Sequence, residues 1–264
     1  MGRRPEVHGL VDGNNEPHTM DMPSMQGGAA PADARDSDYS DGHAHGPMTG
    51  MDMQDNAARA MLLVDRIEYF DARASNGQAF EGHAWFGNDR DKLWISGEGE
   101  RSDGALDHLR SELLWDHAVS AYWDTQLGVR HDSGVGTDRS WAAFGVHGLA
   151  PYWFEVSATA YVGQAGRTAF RAEAEYELLL TQRLILQPRF EVNLFGQNDP
   201  QRGTGSGLSD AALGVRLRYE VRREFAPYVG IEWIRKFGGS AGYARTALEP
   251  VFDRQIVAGI HFWL

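Results

Sequence analysis

From residue 61 onward, apolar and polar side chains alternate with a period of two, which is the mark of strands with one apolar face. The spacing predicts twelve strands, at 61–71, 78–87, 91–101, 108–118, 121–132, 139–149, 152–163, 168–180, 183–196, 208–221, 226–237 and 252–264. The later strands alternate most cleanly. Phe154, Val156, Ala158, Ala160 and Val162 share one face, with Glu155, Ser157, Thr159 and Tyr161 on the other. Phe170, Ala172, Ala174, Tyr176 and Leu178 oppose Arg171, Glu173, Glu175 and Glu177, and Leu213, Val215, Leu217 and Tyr219 oppose Arg216, Arg218 and Glu220. In strand one, Asp65 and Glu68 fall on opposite faces unless a bulge intervenes.

A sheet over a soluble core alternates in the same way, so the connections decide. Those at Asn88-Asp89-Arg90, Val119-Ser120, Ala150-Pro151, Thr181-Gln182 and Arg222-Arg223-Glu224 are tight. The intervening ones are longer and richer in glycine, with extremes at 198–207 and 238–249. Short turns at one end and long loops at the other are the outer-membrane pattern. An even strand count places both barrel termini on the short-turn, periplasmic side. Closure also removes the unpaired edges of so large a sheet. The fold class is therefore all-β: a closed antiparallel transmembrane β-barrel of about twelve strands, residues 61–264.

Residues 1–60 show no such period. They are rich in Gly, Pro, Asp and Ser, carry one aromatic, Tyr39, and read as a disordered tail. All 8 methionines of the chain lie between Met1 and Met61. Six form two clusters: Met20, Met22 and Met25, then Met48, Met51 and Met53. His43 and His45 lie between them, with His8 and His18 upstream. No surrounding apolar residues exist to make these methionines a core. Thioethers prefer Cu(I), and imidazole suits both Cu(I) and Cu(II). A Met-x-Met segment places two sulfurs where a flexible chain can wrap one ion. The segment thus reads as a copper-binding tail, for Cu(I) first and Cu(II) second. Methionines that vary freely in a disordered tail are the competing account.

Composition narrows the function classes. No run of eighteen apolar residues occurs, which excludes a helical membrane protein. Hydrophobic residues make up 42%, which fits strands that are apolar on one face only. The 8 tryptophans and 9 tyrosines suit membrane interfaces. Cysteine is absent, which removes thiolate metal sites, zinc fingers and a cysteine nucleophile. A net charge of −12 argues against nucleic acid and for a cationic partner or an acidic lumen. Met1-Gly2-Arg3-Arg4-Pro5-Glu6 lacks the apolar stretch of a signal peptide and reads as a processed or re-engineered N-terminus.

Acidic residues recur on the polar strand faces, at Glu98, Glu100, Glu112, Asp116, Asp124, Glu155, Glu173, Glu175, Glu177, Glu191, Glu220 and Glu232. Arg130, Arg171, Arg189, Arg216 and Arg218 share those faces. Two readings stand. The charges form carboxylate–guanidinium networks that hold the barrel together. Alternatively, Glu173, Glu175 and Glu177, at i, i+2 and i+4, face inward and draw copper ions to the lumen. The barrel histidines, His83, His108, His117, His131, His147 and His261, follow no spaced ligand motif. A lipid hydrolase would need a serine–histidine pair at the rim. Ser133 and His131 share a face but lack a third member, and no Gly-x-Ser-x-Gly elbow exists. No enzyme is expected.

The chain also resembles the CopB/PcoB family of copper-resistance outer-membrane proteins, from Leu63 to Trp263. The resembling blocks are Val64-Asp65-Arg66-Ile67-Glu68, Gly97-Glu98-Gly99-Glu100, Gly128-Val129-Arg130-His131-Asp132 and Gly148 to Glu155. Leu180 to Arg189, Gly205 to Asp210 and Leu217 to Tyr228 continue the series. The resemblance implies an outer-membrane barrel used in copper detoxification, a Met/His-rich N-terminal region, and cooperation with a periplasmic multicopper oxidase. His261 and Leu264 depart from it, where Arg and a terminal Phe are expected. The combined expectation is copper resistance at the outer membrane, by binding, sequestering or assisting export of copper ions, with the tail in the periplasm and lipid around the barrel. The alternative is a passive or cation-selective pore with an incidental tail.

Overall fold

A computed structural model describes residues 57–264 apart from 74 and 103. The copper-tail expectation, including Met20, Met22, Met25, His43, His45, Met48, Met51 and Met53, lies outside the described residues. The strands are β1 (Arg59–Asp71), β2 (Asn76–Gly87), β3 (Asp91–Ser102), β4 (Ala105–Ala118), β5 (Trp123–Gly134), β6 (Arg139–Ala150) and β7 (Phe154–Gly163). They continue as β8 (Thr168–Glu175), β9 (Leu178–Leu179), β10 (Leu184–Phe195), β11 (Gly207–Tyr219), β12 (Phe225–Lys236) and β13 (Phe252–Trp263). β8 and β9 are two parts of one stave, interrupted at Tyr176 and Glu177, and both pair with β10. The barrel therefore has twelve staves, as the periodicity predicts.

Every neighbouring pair is antiparallel. The sheet closes where β1 meets β13, from Leu63↔Trp263 to Asp71↔Ile256. β1 begins at the short-turn end, the periplasmic side of such a barrel. Its register slips against β2 between Leu63 and Arg66, so one extra residue is accommodated there. This bulge resolves the conflict in strand one. Asp65 reaches His83 at 3.1 Å, and Glu68 is buried against Arg216.

The outward faces carry Ile67, Phe80, Phe86, Leu93, Ile95, Leu113, Leu127, Val129, Phe144, Val162, Phe190, Leu213, Val229 and Ile256, all exposed. So continuous an apolar surface is a liability in water and a requirement in lipid. Trp115, Tyr122, Trp153 and Tyr219 are exposed near the short-turn end, where amphipathic rings favour the headgroup level. The polar faces point inward. A small apolar cluster shares the lumen, with Leu114, Trp141, Ala143, Tyr161 and Ala169 buried and Trp94 and Phe195 packed against them.

The long connections lie at the opposite end. The segment expected as an open loop at 238–249 contains α1 (Gly238–Thr246). Its Ser240, Ala241 and Ala244 are buried. Ser240 Oγ accepts the Gly205 amide at 2.7 Å and meets Ser209 Oγ at 2.7 Å. A Cβ on Gly205 would stand 2.3 Å from the Ser240 nitrogen, so the contact requires glycine. Asp199, in the neighbouring loop, receives Arg139 Nε at 2.9 Å. These contacts tie the long loops to one another.

Candidate functional site

The site is the lumen, and period two builds it. Because inward residues lie at i and i+2, most strands turn at least one charged group into the lumen, and the registers stack these into layers. Midway along the barrel, the ionic pairs cross the interior. Arg189 on β10 donates to Glu81 on β2 at 2.8 Å, although β11, β12, β13 and β1 separate the two strands on one side. Arg171 on β8 donates to Glu98 on β3 at 2.6 Å, past β4, β5, β6 and β7. Arg216 on β11 binds Glu68 at 3.0 Å and Glu232 at 3.0 Å, while Tyr228 donates to Glu68 at 2.9 Å. Arg66 joins Glu81 at 2.5 Å, and Arg110 joins Glu98 at 3.2 Å. Arg130 donates to Asp132 at 2.7 Å, and Trp141 Nε1 donates to the same carboxylate at 2.9 Å. Paired and hydrogen-bonded charges of this kind are stable only as a set, since an unpaired member is costly to bury.

Glu173, Glu175 and Glu177 reach lumenal partners. Glu173 receives Arg189 Nε at 2.7 Å. Glu175 accepts from the Gln187 amide and stands directly across the register from Glu155. Glu177 is bonded to Arg218. Guanidinium groups thus hold the outer two members of the triplet, and a neutral amide holds the middle one. Each of the other expected arginines, Arg130, Arg171, Arg216 and Arg218, also has a carboxylate partner.

A second cluster lies nearer the short-turn end, and its members, though each sits on a polar strand face, share no sequence motif. Asp116 on β4, Asp124 on β5 and His147 on β6 bring one donor atom each to within 4.8 Å of one another. His147 Nε2 is 2.6 Å from Asp116 Oδ2 and 3.8 Å from Asp124 Oδ2. Gln126 Nε2 donates to Asp116 Oδ2 at 3.1 Å. Lys92 Nζ lies 3.1 Å from Asp124 and 3.7 Å from Asp116 Oδ1. Asp116 is fully buried, and its Oδ1 has no hydrogen-bond partner among the described residues. The ring of His147 leans on Trp94, which stacks on His83. No spacing rule finds these residues. They meet because adjacent strands bring Asp116 opposite Gln126 and Asp124 opposite His147.

On the lipid side, His131 Nδ1 is 3.0 Å from Ser140 Oγ, and its Nε2 is 4.0 Å from Asp138. The acid is beyond hydrogen-bond reach, and both side chains are more than half exposed.

A closed twelve-stave barrel with a lipid-compatible exterior and a charge-filled lumen defines the class, an outer-membrane β-barrel protein. Residues 58–264 match the family described as copper resistance protein B precursor (CopB). The chain is 45% identical over 215 residues to the copper resistance protein B homolog of Pseudomonas syringae pv. tomato, covering 81% of this chain and 73% of that one. It is 43% identical over 222 residues to copper resistance protein B of Escherichia coli, covering 83% and 74%. Among solved structures, the NanC porin matches with a TM-score of 0.54 at 11% identity, covering 76% of this chain and 98% of that chain, which is a likeness of fold. The chain belongs to the copper resistance protein B family of outer-membrane proteins.

Proposed function

We propose that this protein protects the cell by capturing copper in its methionine- and histidine-rich segment, sequestering it or assisting its export at the outer membrane. The observation that carries this reading is the coupling of two features in one chain. The barrel belongs to a copper-resistance family, and six methionines in two close clusters precede it. Met20, Met22 and Met25 form one Cu(I) set, and Met48, Met51 and Met53 another. His43 and His45 add nitrogen donors that also accept Cu(II).

The lumenal carboxylates serve attraction rather than storage, because oxygen is a poor final ligand for Cu(I). Glu173, Glu175 and Glu177 belong to this role. Within the triplet, Glu175 opposite Glu155 carries the most weight, since Arg189 and Arg218 already neutralise the flanking members. The ionic pairs that span the barrel speak against a freely open passive pore. The periplasmic multicopper oxidase rests on the resemblance alone.

The test is copper tolerance in cells that lack the protein and are complemented in turn with the natural chain, a variant with all six methionines changed to leucine, and Glu173→Gln/Glu175→Gln/Glu177→Gln. The expected order of tolerance is natural chain, then the glutamine variant, then the leucine variant. Equal tolerance for all three, at equal amounts in the outer membrane, would overturn the reading.

A further inference from the structure

We propose that Asp116, Asp124 and His147 form a binding site for a divalent cation of the Cu(II) class, in which the Lys92 ammonium holds the cation's place until an ion displaces it. The site lies toward the short-turn end of the lumen, and the proposal stands apart from the Cu(I) reading of the N-terminal segment.

Three observations carry it. The first is the donor geometry. One imidazole nitrogen and two carboxylate oxygens come from three adjacent strands and converge within 4.8 Å. Donors around a bound zinc- or copper-sized ion stand about 3–3.5 Å apart, given bond lengths of about 2.0–2.2 Å. The separations of His147 Nε2 from Asp116 and Asp124, 2.6 and 3.8 Å, bracket that value, so small side-chain rotations suffice.

The second is Asp116 Oδ1. It is a fully buried carboxylate oxygen without a hydrogen-bond partner among the described residues. Leaving such an acceptor unsatisfied is costly. Its neighbour Oδ2 accepts from Gln126 Nε2, which keeps the side chain in place with its second oxygen free to coordinate, while His147 Nε2 gives up its own contact with Oδ2 to bind the ion.

The third is Lys92. Its ammonium lies 3.1 Å from one carboxylate and 3.7 Å from the other, where a cation would be drawn. It also lies 5.8 Å above the Trp85 ring, which can receive the ammonium when an ion takes its position. A flexible lysine stem lets the charge swing aside without moving a strand.

The donor set names the ion class. Nitrogen and oxygen donors without sulfur disfavour Cu(I), and among divalent first-row ions Cu(II) binds such sets most tightly. His147 is oriented by its tilted contact with the Trp94 ring rather than by the helix-borne spacing of common metal motifs.

The test is a Cu(II) titration of the full-length detergent-solubilised protein from a Cu(II)–glycine buffer, with electron spin-echo envelope modulation reading coordinated imidazole. All proteins compared carry His8→Gln, His18→Gln, His43→Gln and His45→Gln, so that the remaining imidazole signal comes from the barrel. We expect His147→Gln to lose one equivalent of Cu(II) together with the imidazole modulation. Asp124→Asn should weaken the same equivalent about tenfold or more, and Lys92→Met should tighten it about tenfold or more, since tenfold, about 1.4 kcal/mol, lies between the values of one charge contact in bulk water and near a protein surface. Heat-modifiable migration on gels confirms that each variant is folded. Should His147→Gln fail this check, the Asp124→Asn and Lys92→Met pair decides alone. Unchanged equivalents and modulation in folded His147→Gln, or no opposite shift between the other two variants, would overturn the proposal. A failure here leaves the copper-tolerance test untouched, because that test reads the methionine segment and the Glu173 triplet.

Discussion

At the scale of single residues, the lumen is governed by the rule that a buried charge must keep its partner. Glu68 is 4% exposed and Arg216 5%, and each is the other's main contact. Arg216→Met should therefore destabilise the barrel by about 3–5 kcal/mol, because it strands a carboxylate with only Tyr228 and distant Arg66 to serve it. The double variant Glu68→Gln/Arg216→Met should recover much of that loss. The temperature at which the folded gel band disappears measures both, and equal losses in the single and double variants would contradict the pairing. The polar identity of these faces was legible from period two. The partners were not, because Glu68 and Arg216 lie 148 positions apart and only barrel closure joins them. His147 failed for a related reason. A lone histidine has no motif, and its two carboxylates reach it through strand register rather than through sequence spacing.

At the scale of elements, the strands followed the alternation closely, and even the bulge in β1 was foreshadowed by the clash between Asp65 and Glu68. Two features escaped. The eighth stave is interrupted at Tyr176 and Glu177, beside Pro188 of β10, which accepts the Tyr176 amide but has no N–H to return to the ladder. The sequence predicts a loop where α1 forms, because the segment holds three glycines, Gly238, Gly239 and Gly242, which lower helix propensity. It persists through tertiary contact, with Ser240, Ala241 and Ala244 buried. Gly205→Val should break that contact, since any Cβ there meets the Ser240 backbone at 2.3 Å. The barrel should remain folded, while the segment 238–250 becomes readily cleaved by added protease on whole cells. Protease resistance equal to that of the natural chain would show that the helix is held by something else.

At the scale of the whole molecule, the barrel joins an apolar exterior to an interior crossed by paired charges, with Glu155 and Glu175 facing each other across one register. Exchanging Glu173, Glu175 and Glu177 for glutamine should lower cation selectivity in planar bilayers and reduce thermal stability, because buried Arg218 loses its carboxylate, while the β-rich fold persists at room temperature. Unchanged selectivity in the folded variant would assign all three to the framework. The family model matches residues 58–264 and does not include the methionine clusters, so the copper-capturing role of those clusters calls for its own measurement. That measurement is a Cu(I) competition titration of the full-length protein against a chromophoric Cu(I) chelator, comparing the natural chain with one in which Met20, Met22, Met25, Met48, Met51 and Met53 are all leucine. Most Cu(I) equivalents are expected to vanish while the circular dichroism of the barrel stays the same. Equal Cu(I) uptake by the two proteins would contradict it.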